Sequence, residues 1–222
     1  GEPGAPGNQW HEAADWPPQT KQTSFYLAEK GGLTRHAPAD LQSGTAYESD
    51  PLKPMSIPGR GFPGARDART VEQQAEVRVW TTQPLEAPLE ITGEIEAEIW
   101  LRATVPDTDV ILRVSDVYPD GRSILLMDYP LRARYREGFE KQVLLTPGVP
   151  ARLRWHIGWT SIILNKGHRL RVAVTSTGAP LYEPNSQTGG PQTRDWLNKT
   201  QAGTVTILHE REHPSRLLLP VP

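Results

Sequence analysis

Cysteine is absent from the 222 residues, which excludes disulfides, zinc–thiolate centres and cysteine nucleophiles. An excess of either charge is also missing. Lys and Arg number 24 against 26 Asp and Glu, a formal net charge of −2 that leaves no electrostatic footprint for nucleic acid. No apolar run approaches the roughly 20 residues of a membrane-spanning helix, so no membrane partner is expected. Freedom from disulfides does not by itself assign a compartment. The opening Gly1-Glu2-Pro3-Gly4-Ala5-Pro6-Gly7 lacks a basic-then-apolar leader and reads as a linker. The chain is therefore expected to be a piece of a longer protein.

Long helices have little room here. The 22 prolines and 19 glycines are spread along the whole length, and an interior proline costs a helix about 3 kcal/mol. Between these breakers the residues alternate. Ile95, Ala97, Ile99 and Leu101 share one face of a run whose other face carries glutamates, and Arg169 to Val174 repeats the pattern. In Arg152 to Trp159, the residues Leu153, Trp155, Ile157 and Trp159 are expected to face inward. A period of two places one face in a core and the other in water. Further strands are expected at Glu76 to Thr82, Asp109 to Val117, Ser123 to Leu131, Thr204 to His209 and Arg216 to Leu219. Pro119-Asp120-Gly121-Arg122 reads as a hairpin turn with Gly121 at positive φ. The class is all-β, a sandwich or jelly roll.

The first 70 residues differ, with paired prolines, glycine-rich stretches and only Ser24 to Leu27 resembling a strand. They read as a long irregular segment. Trp10, Trp16, Phe25 and Tyr26 would pin it, by packing within the domain or by facing a partner domain.

Motifs for chemistry are sparse. His209-Glu210-Arg211-Glu212-His213 spells H-E-x-x-H, whose two imidazoles share a zinc only on a helix. Here the string follows the β-branched run Thr204 to Leu208 and precedes Pro214. On a strand, four residues span about 13 Å, too far for one metal, so a strand end and turn is expected instead. No serine stands in the G-x-S-x-G setting of a nucleophile elbow; Ser161 and Ser176 read as strand residues. Asp107-Thr108-Asp109 falls short of a calcium loop and reads as an aspartate-capped turn. Asn198-Lys199-Thr200 fits a glycosylation sequon, relevant only to a eukaryotic secreted protein. No catalytic residue, metal or cofactor is assigned.

Several strings, taken in order, resemble one family across essentially the whole chain. They include Asn8-Gln9-Trp10 with Asp15-Trp16-Pro17-Pro18, Phe25-Tyr26-Leu27, Tyr47-Glu48-Ser49-Asp50-Pro51 and Asp67-Ala68-Arg69. Asp107-Thr108-Asp109, Asp116 to Arg122, Leu131 to Glu137, Gly167 to Arg171, Asn185 to Gly189 and His213 to Pro220 follow. Together they resemble the C-terminal domain, of X-Pro dipeptidyl-peptidase type, of the CocE/NonD hydrolases.

The resemblance implies a galactose-binding-like jelly roll that follows an α/β-hydrolase domain carrying a Ser-Asp-His triad, an oxyanion hole and an inserted helical cap. On that reading residues 1–24 are the linker from the missing hydrolase domain and 25–222 the jelly roll. The jelly roll closes one side of a cleft for a small ester or peptide substrate. The wall segment corresponds to Met55 to Arg66 and is shorter than usual; within it Arg60 and Phe62 are the substrate-lining candidates. The partners implied are the hydrolase and cap domains of the same chain. Excision from them is expected to leave an exposed apolar patch and a tendency to form a homo-oligomer. The rival reading is an independent carbohydrate-binding module, motivated by the sandwich and seven tryptophans.

Overall fold

The computed structural model describes residues 2–57, 65–195 and 199–222. Among the described residues eleven strands appear in chain order. They are β1 (Lys21–Leu27), β2 (Leu33–Thr34), β3 (Gly44–Ser49), β4 (Arg78–Thr81), β5 (Leu89–Ala103) and β6 (Asp109–Val117). Then come β7 (Ser123–Arg132), β8 (Ala151–Leu164), β9 (Arg169–Thr175), β10 (Gly203–Leu208) and β11 (Arg216–Val221). The helices α1 (Arg69–Glu72) and α2 (Gln192–Asp195) are each one turn long.

The strands form a β-sandwich of two antiparallel sheets. One is seven-stranded, in the order β2-β1-β11-β5-β10-β3, with β8 added along the other edge of β5. The second is four-stranded, in the order β4-β9-β6-β7. Alternation accounts for the packing. Ile95, Ala97, Ile99 and Leu101 of β5 meet Val110, Leu112 and Val114 of β6 in one core, joined by Leu153 and Trp155 of β8 and Leu217 and Leu219 of β11. Every residue of β6 is buried, and on the outer face of the adjacent β9 a second, smaller cluster forms where Met55, Val71 and Val77 pack with Ala173. The expected turn at Pro119–Arg122 is present, with Gly121 at φ 91°.

The amino-terminal stretch contains more strand than its composition suggests, since β1, β2 and β3 all lie within it. The expected pins divide. Phe25 is buried in the core, whereas Trp10 and Trp16 are exposed.

One inward assignment is overturned. Ile95 pairs with Gly158 but Glu96 pairs with His156, so Ile157 is an extra residue on β8. Such a bulge reverses the alternation beyond it. Leu153, Trp155 and Ile157 face the core as expected, but Trp159 turns outward and is 51% exposed. Ile162 and Leu164 take the inward positions instead.

Candidate functional site

Arg60 and Phe62 lie outside the described residues, as does Asn198 of the sequon. The flanks of the wall segment are anchored. The Ile57 N–H donates to the Ala179 carbonyl at 2.8 Å, and the Leu125 N–H donates to the Arg66 carbonyl at 2.8 Å. The Met55 N–H donates to Thr177 Oγ1 at 2.8 Å. Glu76 fixes that region from beneath: its carboxylate accepts from the Thr175 and Thr177 hydroxyls and from the Ser176 and Thr177 N–H groups.

The H-E-x-x-H string is a strand end followed by bends, not a helix. His209 is buried, with Nδ1 at 2.8 Å from Ser43 Oγ and Nε2 at 2.9 Å from Thr45 Oγ1. His213 instead pairs its Nδ1 with Glu210 Oε1 at 2.6 Å and packs its ring on Trp100. Each imidazole is thus engaged separately. No group of three or more His, Asp or Glu is placed to hold a metal among the described residues.

Ser43 and His209 were separated by 166 positions in sequence, and nothing local signalled the pair. A hydroxyl bonded to an imidazole is the first requirement of a nucleophile–base couple, so the rest of the geometry decides. The two residues face each other where β3 and β10 run out, with the His209 N–H donating to the Ser43 carbonyl at 3.0 Å. They line a shallow cavity of about 400 Å³ with Glu29, Lys30, Gln42, Gly44 and Thr45. In a triad a carboxylate holds the second ring nitrogen; here the Thr45 hydroxyl holds it. A carboxylate does reach the serine side chain, but Glu29 Oε1 lies 3.3 Å from the serine oxygen itself and not on the imidazole. The Ser43 N–H, which an oxyanion hole would use, is spent on Glu210 Oε2 at 3.1 Å. Burial also pushes the His209 pKa down. The pair is a cross-strand tie at the sheet edge.

A second imidazole has the acid that His209 lacks. Asp116 Oδ1 lies 2.8 Å from Nδ1 of buried His168, whose ring tilts on Tyr118 at 4.3 Å. Its Nε2 faces Glu2 Oε2 at 3.5 Å, so a carboxylate stands where a nucleophile would be. Burial raises the Asp116 pKa against the opposing pull of His168. The side-chain oxygens of Ser161 and Ser176 meet other hydroxyls, at Thr92, Tyr47 and Thr108.

Asp107 and Asp109 build a buried ion-pair cluster, and the one backbone group on these carboxylates among the described residues is the Arg134 N–H, which donates to Asp107 Oδ1 at 2.9 Å. Arg134 Nε donates to Asp107 at 2.7 Å, Arg132 Nε donates to Asp109 at 2.8 Å, and the Asn185 amide donates to both carboxylates. Two guanidinium groups thus occupy the place a cation would take. Gln187, in the left-handed region at φ 64°, spans the same end by donating to the Ser49 and Gln201 carbonyls.

Two of the exposed aromatics, Tyr129 and Trp159, flank one histidine elsewhere. At the side of the sandwich where the edge strands β7 and β8 meet, the His156 ring lies 6.4 Å from Tyr129 and 6.0 Å from Trp159. The two edges approach closely there: a Cβ on Gly158 would sit 3.0 Å from Met127 Sδ.

Comparison with known proteins agrees over nearly the whole length. A family profile described as the X-Pro dipeptidyl-peptidase C-terminal non-catalytic domain matches residues 4–218. The cocaine esterase of Rhodococcus sp. (strain MB1 Bresler) is 32% identical over 96% of this chain, a match that spans 40% of that protein. The crystal structure of an aminopeptidase from a marine sediment Thaumarchaeota archaeon superposes with a TM-score of 0.89 at 29% identity, over 96% of this chain and 39% of that one. An α-amino acid ester hydrolase superposes at 0.84 with 28% identity, over 96% of this chain and 38% of that one. The chain thus spans about 40% of the length of the relatives it matches.

Proposed function

The chain belongs to the X-Pro dipeptidyl-peptidase C-terminal non-catalytic domain family, and from that membership we propose that it buttresses a serine acyl hydrolase or peptidase. The chemistry resides in a preceding α/β-hydrolase domain of the same polypeptide. There a Ser-His-Asp triad attacks a small ester or an X-Pro peptide, forms an acyl-enzyme and releases it to water. Residues 1–24 lead in from that domain and 25–222 form the buttress. Its contribution is to stabilise the hydrolase domain and to wall one side of the substrate cleft, through the segment from Met55 to Arg66, with Arg60 and Phe62 as the substrate-contact candidates.

A single observation carries this reading: a family match over residues 4–218 in a chain whose two best imidazole pairs each lack a triad member among the described residues. The experiment is truncation. Full-length polypeptide and a version lacking these 222 residues are compared for ester turnover and thermal stability. The reading expects the truncated form to keep the serine that reacts with a fluorophosphonate, yet to melt earlier and bind substrate less well. Unchanged stability and KM would overturn it.

A further inference from the structure

We propose that the aromatic patch formed by Tyr129, His156 and Trp159 is the seat on which the preceding catalytic domain rests. The inference builds on the function proposed above and names the surface that serves it.

Three observations converge. The first is how the patch is made. Because of the bulge at Ile157, the outward residues of β8 are His156 and then Trp159, and their rings meet at 6.0 Å. Without the extra residue Trp159 would enter the core. A bulge that re-aims a tryptophan to solvent at a sheet edge is a built feature, because bulges twist and terminate pairing at a structural cost. Tyr129 joins from the other sheet, and the Trp155 indole N–H donates to its carbonyl at 3.3 Å, which fixes the two edges against each other.

The second is composition. Tyr129 is 52% and Trp159 51% exposed. Aromatic rings of this kind bury about 150–250 Å² each, so the pair leaves on the order of 200 Å² of apolar surface beside the His156 ring. Beside it, between β8 and β5, stand two ion pairs: His156 with Glu94 at 2.7 Å, and Arg154 with Glu96 at 2.8 Å. Exposed aromatic rings with charged neighbours at their margin are characteristic of protein–protein hot spots. Interfaces between domains of one chain bury roughly 600–1,500 Å², so these rings are the centre of a contact and not its whole extent.

The third is the route of the chain. About 60% of the relatives' length lies outside the matched region, and the family is a C-terminal domain. The lead-in segment lies against the distal end of β8: Asn165 Nδ2 donates to Glu2 Oε2 at 2.7 Å, and the Cβ of a residue at Gly7 would touch Ile163 Cβ at 3.5 Å. Ile163 is four residues from Trp159, about 13 Å along a strand. A domain preceding Glu2 therefore begins within reach of the patch.

Hydroxyl-radical footprinting tests this directly, comparing the 222-residue chain with the full-length polypeptide. Trp159 and Tyr129 are expected to oxidise several-fold more slowly in the full-length form, while exposed Phe139 on the loop after β7, outside the patch, reacts equally in both. In addition, Trp159→Ser should lower the melting temperature of the full-length polypeptide and leave that of the 222-residue chain nearly unchanged. Protection that falls on other exposed apolar residues, such as Leu52 and Leu181, while Trp159 stays reactive, would overturn the patch assignment and leave the buttress reading standing. Protection nowhere on this chain would overturn both. Protection of Trp159 in the 222-residue chain by added xylohexaose, or by raising its own concentration, would reassign the patch to a sugar or to a second copy and overturn the proposal.

Discussion

Ser43 Oγ and His209 Nδ1 stand 2.8 Å apart at the end of the β3–β10 ladder, and the imidazole is held on its far side by the Thr45 hydroxyl at 2.9 Å. Hydroxyls on both ring nitrogens satisfy a buried imidazole without a charge. The same arrangement gives the serine no base driven by a carboxylate and the edge strand β3 a tie to the strand beside it.

Stability, accordingly, is what Ser43 supports. Ser43→Ala leaves Nδ1 of a buried histidine without its partner, which costs about 1–3 kcal/mol. Urea unfolding should show that loss, and an unchanged midpoint would contradict the role assigned to the pair.

His209 also sets a pH dependence. Burial holds its pKa below the ordinary value, against the weaker opposing influence of Glu29, Asp40 and Glu210. Between the unfolded value near 6.5 and the lower folded value, the unfolded chain binds a proton that the folded chain does not. Its stabilising contribution is therefore present above about pH 6.5 and lost as pH falls toward the folded pKa, with a limiting slope of about 1.4 kcal/mol per pH unit. Melting temperatures of the wild type and His209→Gln between pH 7.5 and 5 should converge as pH falls. A constant difference would contradict the assignment.

The Asp107–Arg134 pair carries more. Asp107 is fully buried and Arg134 nearly so. Arg134→Met strands a buried carboxylate and should cost about 3–5 kcal/mol, whereas Arg134→Met with Asp107→Asn should recover most of it. Urea unfolding of the two variants decides; equal losses would show that the pair is not what is being broken.

Packing at the end of β10 admits no side chain. A Cβ on Gly203 would lie 2.5 Å and 2.9 Å from the two methyls of buried Val105, and a β-branched side chain has no easy rotamer to retreat to. Gly203→Ala is expected to cost about 1–3 kcal/mol, relieved when Val105→Ala is added. Thermal melts of the single and double variants check it, and an uncompensated double variant would contradict the clash.

What was legible in the sequence was whatever repeats locally. The period of two in β5 and β9 named their buried faces, and the Pro119–Arg122 turn announced itself through Gly121. β3 was not legible, because Gly44, Thr45 and Ala46 have no apolar alternation and the strand is specified by its pairing with β10. Trp159 was misassigned for a related reason: the bulge at Ile157 is a property of two strands in register, not of either alone. Resemblance strings supplied what periodicity could not. Asp116 and His168, quoted from two separate strings, prove to be one hydrogen-bonded pair. Asp107, Asp109, Arg132, Arg134 and Asn185, from three strings, form one cluster. Ser43 and His209 belonged to no such set, and only the fold brings them together.

The central claim is that this chain is scaffold and not catalyst. Its most direct test is nitrophenyl-ester hydrolysis by the purified 222-residue chain, together with mass spectrometry after treatment with a fluorophosphonate. The account predicts turnover no faster than that of Ser43→Ala and no labelled serine. Ester turnover abolished by the reagent, with the adduct on Ser43 or any other serine of this chain, would contradict it.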